Sequence, residues 1–309
     1  MTEAHAAADR LGGAGVLPDH ELRAAVAAGW ISAPTPPGDD QFQPASLDLR
    51  LGPLAYQLRA SFLPFSAPVQ QRLDGNGDLV IDRLSLSEGA TLSRGSVYLV
   101  PLLESLVLPP HVRGRSNPKS TTGRLDIFTR VITDRTPRFD EIAPGYRGQL
   151  YLEISPQSFP VRVHAGASLN QLRLLMGDGA IDDGLLRRVY SDQPLLFDDD
   201  DRPVPVERAT FNDGLCMGID LSGRATDGII GYRAHPNPPA VDLARVGHYD
   251  PAEFWEPIKR PGRDAYILEA NRFYILVSKE RIRVPPDFAA EMVVYDAGAG
   301  EIRTHYAGF

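Results

Sequence analysis

The chain has 309 residues, of which 43% are hydrophobic and 23% charged, and its formal net charge at pH 7 is -8. This length allows two compact domains, and the composition is that of an ordinary globular protein. A net negative charge argues against a protein that coats nucleic acid, because such a protein needs a basic face to neutralise phosphates; a single nucleotide remains a compatible ligand.

Side chains that would build a zinc site or a disulfide are sparse. The one cysteine, Cys216, excludes an intramolecular disulfide and a cysteine-based zinc cluster. The seven histidines show no HxH or HxxxH spacing, so no histidine metal site is expected.

No stretch approaches about eighteen uninterrupted apolar residues, and residues 1–15 contain no apolar signal region. We therefore expect a cytoplasmic protein without a membrane partner.

The first predicted element is one short helix over residues 19–29. Asp19 is a candidate N-cap, Leu22 and Val26 lie one helical turn apart, and Gly29 follows as a terminator. The chain that follows is rich in turn residues and contains short alternating segments, such as 46–51, 96–100 and 106–108. This pattern is typical of an all-β domain.

A long-range repeat links the two halves of the chain. Residues 98–112 (YLVPLLESLVLPPHV) align with residues 274–288 (YILVSKERIRVPPDF) at a constant offset of 176. Four positions are identical, namely Tyr98 with Tyr274, Glu104 with Glu280, Pro109 with Pro285 and Pro110 with Pro286. Residues 46–49 and 218–221 match at a nearly equal offset. The sequence therefore predicts two tandem copies of one β fold.

The joint between the copies is predicted at residues 197–205. An acidic run, 198–201, is followed there by Arg202 and alternating prolines. This places a first domain at residues 1–197 and a second, degenerate copy at 198–309, which is expected to be either a shortened or an incomplete copy.

The segment between residues 113 and 147 reverses the sign of the chain's charge. It carries four acidic residues and eight basic ones, so its local charge is about +4. The basic residues are Arg113, Arg115, Lys119, Arg124, Arg130, Arg135, Arg138 and Arg147. A positive region in a negative protein attracts an anionic ligand, although a solvated arginine-rich face explains the pattern equally well.

Glu153 lies in an apolar run, residues 149–154, that reads as a buried strand. Charged residues are seldom buried unless they are paired or used in function. A buried carboxylate can exchange protons near neutral pH, which is the role of a general acid or base. The alternative is an outward-facing glutamate with no special role.

Five segments, in their order and spacing, closely resemble the dCTP deaminase branch of the trimeric dUTPase superfamily, in particular its longer bacterial members with two copies. They are ASLDLRLG (45–52), LESLVLPPHV (103–112), KSTTGRL (119–125), APGYRGQLYLEIS (143–155) and GASLNQLRL (166–174). The resemblance implies a dUTPase-like distorted jelly-roll or β-barrel fold. It also implies a homo-oligomer, specifically a trimer, with nucleotide sites at subunit contacts. The implied activity is hydrolytic deamination of dCTP to dUTP and ammonia, with Mg2+ travelling with the triphosphate.

The resemblance also implies roles for individual residues. The family's catalytic glutamate falls on Glu153, which would shuttle protons. In the family's RSSxxR motif, the serine falls on Ser120, the second arginine on Arg124, and the first arginine is replaced by Lys119. Ser120 would bind water or phosphate, Arg124 would stabilise charge, and Lys119 would contact phosphate. Two weaker substrate-binding candidates are Thr121 and Gln171.

Water activation without a metal is expected from the same motifs. Most nucleobase deaminases activate water on zinc through H-x-E and P-C-x-x-C ligands, and this chain has neither motif. A carboxylate must then act as the base, with no metal ligand in the protein and no zinc.

Two departures from the family qualify this interpretation. Ala143 stands where the family usually carries an aspartate, which weakens a pure dUTPase interpretation and leaves the sugar contacts open. At the offset of 176, the positions of Lys119, Ser120 and Arg124 fall on Tyr295, Asp296 and Gly300, so the second copy is expected to be chemically silent.

The alternatives to a dCTP deaminase that releases dUTP are a bifunctional enzyme that forms dUMP, a dUTP pyrophosphatase, and a nucleotide-binding regulatory protein without turnover.

Overall fold

The computed structural model describes residues 14–75, 77–262 and 265–293. Its α-helices are short: α1 (Asp19–Ala27), α2 (Val69–Gly75), α3 (Ser120–Gly123) and α4 (Asp183–Asp192). The 3-10 helices are Asp39–Gln41, Val206–Arg208, Arg224–Thr226 and Pro251–Glu253. No helix in the described ranges is long and apolar enough to cross a membrane.

Most of the regular structure is β-strand. The strands up to residue 133 are β1 (Gly15–Val16), β2 (Ile31–Ser32), β3 (Phe42–Gln43), β4 (Ser46–Arg50), β5 (Leu54–Leu58), β6 (Val80–Ser85), β7 (Ala90–Leu92), β8 (Val97–Val107), β9 (Val112–Pro118) and β10 (Ile127–Thr133). The later strands are β11 (Glu141–Ile142), β12 (Arg147–Pro156), β13 (Val161–Val163), β14 (Ser168–Met176), β15 (Leu196–Phe197), β16 (Thr210–Phe211), β17 (Leu215–Cys216), β18 (Ile229–Ala234), β19 (Val241–Asp242), β20 (Trp255–Lys259), β21 (Tyr274–Leu276) and β22 (Arg281–Ile282). The predicted all-β class, with a dUTPase-like fold and a short N-terminal helix, is confirmed.

The chain forms two compact units. In the described residues, the first unit comprises 14–179, 239–248 and 291–293, and the second comprises 180–238 and 249–290. The acidic run at which the sequence analysis placed the joint lies within the second unit. Helix α4 belongs to that unit as well, because Tyr190 of α4 packs with Leu195 and Leu196 in a small apolar cluster.

Two six-stranded sheets make up most of the first unit. Sheet A has the strand order β11-β9-β14-β4-β3, and β1 pairs with β14; sheet B has the order β10-β12-β8-β5-β6, and β2 pairs with β8. All of the pairings within these two sheets are antiparallel. A smaller sheet, β19-β13-β7, lies in the same unit.

Backbone contacts connect the two sheets along two edges. Asp140 joins β9 of sheet A to β10 of sheet B: its carbonyl accepts from Ser116 N at 2.9 Å, and its own N–H donates to Val131 O at 2.9 Å. At the other edge Gly52 N donates to Pro101 O at 2.9 Å. A Cβ at position 52 would lie 2.4 Å from that carbonyl oxygen, so this close approach requires glycine. The two sheets therefore form a closed, barrel-like layer pair.

Side-chain alternation defines an inner and an outer face for each sheet. Asn170 on β14 donates to Thr129 Oγ1 on β10 at 3.2 Å, so these two side chains point toward the opposite sheet. Successive strand residues point to opposite faces, so Gln171 and Arg130 point outward. The apolar residues on the inner faces are buried: Leu47, Leu49, Val112, Val131, Leu152, Ile154, Leu172 and Leu174.

The second unit repeats part of sheet B. Its three-stranded sheet has the order β20-β18-β21, which corresponds to β6-β5-β8 of the first unit. Tyr98 on β8 lies opposite Gln57, and Tyr274 on β21 lies opposite Arg233. Positions 274 and 233 are each 176 residues after positions 98 and 57, so the same pairing recurs at the offset of the sequence repeat. This shared register supports the prediction of two tandem copies.

Local hydrogen bonds also recur at that offset. Ser93 N donates to the Tyr98 hydroxyl at 2.9 Å, and Glu269 N donates to the Tyr274 hydroxyl at 2.9 Å. The two tyrosines therefore accept an equivalent backbone hydrogen bond in both copies.

The sequence predictions of individual elements need two corrections. Helix α1 ends at Ala27, before Gly29, and its N-cap is Pro18, so Asp19 is the first helical residue and not the cap. The segments 96–100 and 106–108 are parts of one strand, β8, because the intervening residues continue the pairing with β12 through an irregularity at Gln149.

Candidate active site

Glu153 is buried on the outer face of sheet B. It lies on β12, directly opposite Arg130 of β10, and only 2% of it is exposed. Tyr151, two residues earlier on the same face, packs in an apolar cluster with Val69 and Leu73 of α2. The predicted buried strand is therefore present, and the glutamate is covered although it points away from sheet A.

Arg130 holds one oxygen of this carboxylate. Its Nε donates to Glu153 Oε1 at 2.9 Å, and its Nη2 donates to the same oxygen. The guanidinium also stacks on Phe139, with Cζ 4.0 Å from the ring centroid, and contacts Ser61 Oγ at 3.3 Å. The second oxygen, Glu153 Oε2, is buried without a hydrogen-bond partner among the described residues. One oxygen is thus fixed by Arg130, and the hydrogen-bonding capacity of the other is unused.

A second polar group lies on the outer face of sheet A. Lys119 Nζ forms an ion pair with Asp48 Oδ2, and Ser46 Oγ donates to Gln171 Oε1 at 2.8 Å. Asp48 lies directly opposite Gln171 in the β4-β14 ladder, so the two pairs are neighbours. The structure therefore brings Lys119 and Gln171 together, as two of the predicted substrate-binding residues.

Two buried atoms of this group have no hydrogen-bond partner in the part of the chain that the structure describes. They are Asp48 Oδ1 and Gln171 Nε2. Burial raises the pKa of Asp48, and the hydrogen bond and charge of Lys119 offset part of that rise. Buried polar atoms without partners are costly, so this face is suited to a polar ligand.

The remaining predicted residues lie on the turn that follows Lys119. Helix α3 begins at Ser120, and Arg124 directly follows it; the chain then continues into β10 of sheet B. Ser120 is half-buried, whereas Thr121 and Arg124 are exposed. Their polar ends are available for an external ligand.

The two groups face away from each other. Glu153 lies on the outer face of sheet B, and the Lys119–Gln171 group lies on the outer face of sheet A, with the inner core between them. Among the described residues, no hydrogen bond or ion pair links Glu153 to Lys119, Ser120, Thr121, Arg124 or Gln171. One copy of the first unit therefore presents two separate half-sites.

The predicted positive segment does not form one continuous patch. Lys119 pairs with Asp48 in sheet A, and Arg130 pairs with Glu153 in sheet B. Arg138 pairs with Glu141 on the surface, 3.0 Å apart. Strand alternation and the change of sheet after α3 disperse cations that are close in sequence.

Three contributors to these sites were not assigned by sequence reasoning. Arg130 was counted only as a cation, and Asp48 lies in the segment ASLDLRLG without an assigned role there. Asp140 was counted only as an acidic residue, yet its carboxylate accepts from Val131 N at 2.8 Å and from Ser116 Oγ at 2.8 Å. The alternation of residues 127–133 could have placed Arg130 on one face, but its partner depends on the β10-β12 register.

No protein metal centre is apparent in the described part of the chain, where no group of three or more His, Cys, Asp or Glu side chains is placed to hold an ion.

A cleft of about 370 Å³ lies where β8 meets residues 32–34 and 52–53, and none of the predicted site residues lines it.

A closed pair of antiparallel sheets with this strand order defines a protein of the dUTPase-like fold. One outer face carries a buried carboxylate, and the other carries a cation–hydroxyl group. Comparison with known proteins specifies the family. The family model described as the N-terminal domain of 2'-deoxycytidine 5'-triphosphate deaminase matches residues 13–178, and the model of the C-terminal domain matches residues 182–309.

Individual relatives agree with this assignment. The crystal structure of 2'-deoxycytidine 5'-triphosphate deaminase from Agrobacterium tumefaciens aligns with a TM-score of 0.87 and 42% identity, over 96% of this chain and 86% of that one. A "dCTP deaminase, dUMP-forming" of Corynebacterium jeikeium is 31% identical over 52% of this chain and 80% of its own length. A dCTP deaminase of Halorubrum lacusprofundi is 30% identical over 51% of this chain and 75% of its own.

The chain belongs to the dCTP deaminase family. It is a hydrolytic deaminase enzyme of that family, as the sequence motifs predicted.

Proposed function

We propose that the protein deaminates dCTP to dUTP and ammonia, with Glu153 as the proton shuttle and without a metal ion on the attacking water. The observation that carries this proposal is the state of Glu153, whose Oε1 is held by Arg130 while Oε2 is buried without a partner. Such a carboxylate is fixed in orientation and keeps one oxygen for the reaction. The reaction belongs to pyrimidine deoxynucleotide metabolism, for which the cytoplasm is the expected compartment.

The chemistry requires two proton transfers. Water adds its oxygen to C4 of cytosine, and the proton it loses passes to Glu153 and then to N3 of the ring. The new hydroxyl then gives its proton through Glu153 to the amine, the C4–N4 bond breaks, and ammonia leaves as the C4 carbonyl forms. A positioned carboxylate is a suitable acid and base for both transfers.

The other predicted residues would bind the nucleotide and stabilise charge. Ser120 would hold the water or a phosphate oxygen, and Arg124 would stabilise the charge that develops near them. Lys119 supplies a cation for the phosphates, although a lysine lacks the two-pronged geometry of arginine. Thr121 and Gln171 are further substrate contacts, supported by the exposure of the former and by the unpartnered amide of the latter.

Magnesium fits this arrangement as a companion of the triphosphate. Mg2+ prefers oxygen ligands and usually retains several waters in such sites. Asp48 would be the residue in reach of a magnesium-bound water, since its Oδ1 has no partner and it neighbours Lys119. When bound, the ion would neutralise phosphate charge, and the proton transfers would remain with Glu153.

The complete site is proposed to form between copies of the chain. The half-sites lie on opposite outer faces of one unit, so a single nucleotide cannot contact both within that unit. A closed homo-oligomer, as in the trimers that the family resemblance implies, would bring Glu153 of one copy to Ser120 and Arg124 of another.

Incubation of the purified chain with dCTP and Mg2+, in the presence of a zinc-selective chelator, tests the function. We expect ammonia and dUTP in equal amounts. Loss of turnover on chelation would contradict the metal-free route. Absence of any ammonia from well-folded protein that still binds dCTP would instead favour the regulatory, catalytically silent alternative.

A bifunctional reaction that continues to dUMP is the second candidate. The observation that favours it is the name of the C. jeikeium relative, a dUMP-forming deaminase that is 31% identical to this chain over 161 residues. In the same assay this reaction would yield ammonia, dUMP and pyrophosphate without accumulation of dUTP. Release of dUTP as the stable product would exclude it.

A further inference from the structure

Two arginines lie directly opposite each other in sheet A. Arg115 on β9 and Arg173 on β14 are register partners in the antiparallel ladder. Both point to the outer face, because Ser116 and Leu172, their neighbours in the chain, belong to the inner face. Like charges directly opposite each other destabilise a sheet, so an anion beside the pair is favourable. Glu141 lies opposite Arg115 on its other side, in β11, but it is paired with Arg138.

Arg173 is the more demanding member of the pair. Only 7% of it is exposed, and its Nε is buried without a hydrogen-bond partner among the described residues. Burial lowers the pKa of Arg173, and the nearby charge of Arg115 lowers it further, while Glu291 opposes both effects. A buried guanidinium N–H without an acceptor is costly, so an oxygen acceptor at this position would relieve a real deficit.

The carboxylate of Glu291 marks where an anion can lie. Its Oε2 is 3.3 Å from Arg115 Nη1, and Arg115 is the only residue with which it forms an ion pair in the described residues. A single carboxylate oxygen of Glu291 leaves the other N–H donors of the two guanidinium groups unused. A phosphate group presents more oxygens and more charge than a carboxylate, and it suits the two-pronged geometry of arginine.

The polar face continues from the arginine pair toward the nucleotide half-site. The next outward-facing pair in the same ladder is Asn117 opposite Gln171, about 7 Å along the strands. Asn117 is 6% exposed and Gln171 is 3% exposed, and the Gln171 Nε2 has no acceptor. Buried side-chain donors therefore lie on this face at both register pairs, Arg115–Arg173 and Asn117–Gln171.

We propose that Arg115 and Arg173 form a phosphate-binding site, which the Glu291 carboxylate occupies until a phosphate displaces it. The phosphate is either free or the terminal group of a bound nucleotide. The proposal does not depend on the deamination mechanism, because neither arginine contacts Glu153.

Calorimetric titration of the full-length chain with inorganic phosphate, at constant ionic strength, tests the site. Glu291→Gln removes the internal competitor, so we expect it to bind phosphate several-fold more tightly than the wild type. Arg115→Met and Arg173→Met should each weaken binding by about tenfold or more, as expected for loss of a charge-assisted hydrogen bond. Arg59→Met, which removes an exposed arginine whose Nε donates to the Asp78 carbonyl, is the matched control and should bind as the wild type does.

Equal phosphate affinity in all five proteins, or no binding by the wild type and Glu291→Gln, would overturn the proposal. Arg115 is half exposed, so its variant keeps the test valid if Arg173→Met does not fold. Measurement of the KM for dCTP then identifies the source of the phosphate. A raised KM in Arg115→Met assigns the site to the nucleotide, and an unchanged KM with lost phosphate binding assigns it to free phosphate. Glu153→Gln should bind phosphate normally, so failure of the proposed reaction and failure of this site are separable.

Discussion

At the scale of single residues, the ion pair between Arg130 and Glu153 organises the candidate catalytic group. Burial of an unpaired carboxylate is strongly unfavourable, and the arginine makes burial of this one possible. Because Arg130 binds one oxygen only, the pair fixes the carboxylate without saturating it. The orientation of the carboxylate and the stability of its burial therefore depend on the same contact.

Glu153→Gln should abolish most of the activity. The amide keeps the shape of the side chain and one acceptor oxygen but cannot carry a proton from water to the ring, so we expect kcat to fall by about 10²- to 10⁴-fold. Glu88→Gln, which changes an exposed glutamate of the same unit, is the control. Near-normal deamination by folded Glu153→Gln would show that another group shuttles the proton.

Arg130→Met should reduce kcat more than it changes KM. Without the guanidinium the carboxylate loses its orientation, and misplacement of a catalytic group by about 1 Å can cost about 10²-fold in rate. Arg130→Lys keeps the charge and should recover part of the loss, while Arg138→Met at an exposed ion pair should have little effect. Steady-state kinetics of the three variants checks this, and an unchanged kcat in Arg130→Met would refute the positioning role.

Asp140 should make the stability of the protein depend on pH. Burial raises the pKa of Asp140 to about 6, despite hydrogen bonds from Val131 and Ser116. A raised carboxyl pKa means that the folded state binds the proton more tightly than the unfolded state, so this group contributes stability at low pH that is lost as pH rises toward 6. Relative to Asp140→Asn, the wild type should gain about 1 to 3 kcal/mol between pH 7 and pH 4. Urea unfolding at both pH values measures the difference, and a difference that stays constant or reverses would contradict the assignment.

At the scale of elements, the two tyrosines shared by the copies offer a matched test of the repeat. Tyr98→Phe leaves Ser93 N without its acceptor at a site where the tyrosine is 2% exposed, so it should cost about 1 to 2 kcal/mol. Tyr274→Phe removes the equivalent bond from Glu269 N, but at a half-buried site where water can replace it. Unfolding experiments should therefore show the larger loss for Tyr98→Phe; a larger loss for Tyr274→Phe would contradict the dependence of the cost on burial.

Element predictions from the sequence succeeded where the signal was local. The strand that carries Glu153 was recognised from its apolar run, and the fold class from the density of turns and short alternating segments. Strand β8 was divided into two pieces because Pro101 and Glu104 interrupt its alternation, whereas pairing with β12 continues past them. The Arg130–Glu153 contact was not predictable, because it depends on the register of two strands joined by a long, irregular connection.

At the scale of the whole molecule, the motifs of the dCTP deaminase family lie on two opposite outer faces of the first unit. Motif proximity in sequence suggested one positive site from Lys119 to Glu153, but the chain changes sheet after α3 and separates the two ends. The comparison with a solved relative over 96% of the chain supports this arrangement of the backbone. The separation of the half-sites is the physical reason to expect an oligomeric active site.

Activity of mixed oligomers tests that central claim most directly. Glu153→Gln and Arg124→Met would be co-expressed with different tags, and oligomers carrying both tags would be purified and assayed with dCTP. If Glu153 and Arg124 of each site come from different copies, every trimer that carries both variants has one intact site in three, so about a third of the wild-type activity should return. If both residues of a site belong to the same chain, every site carries one lesion, and activity no higher than that of the separate variants would contradict the account.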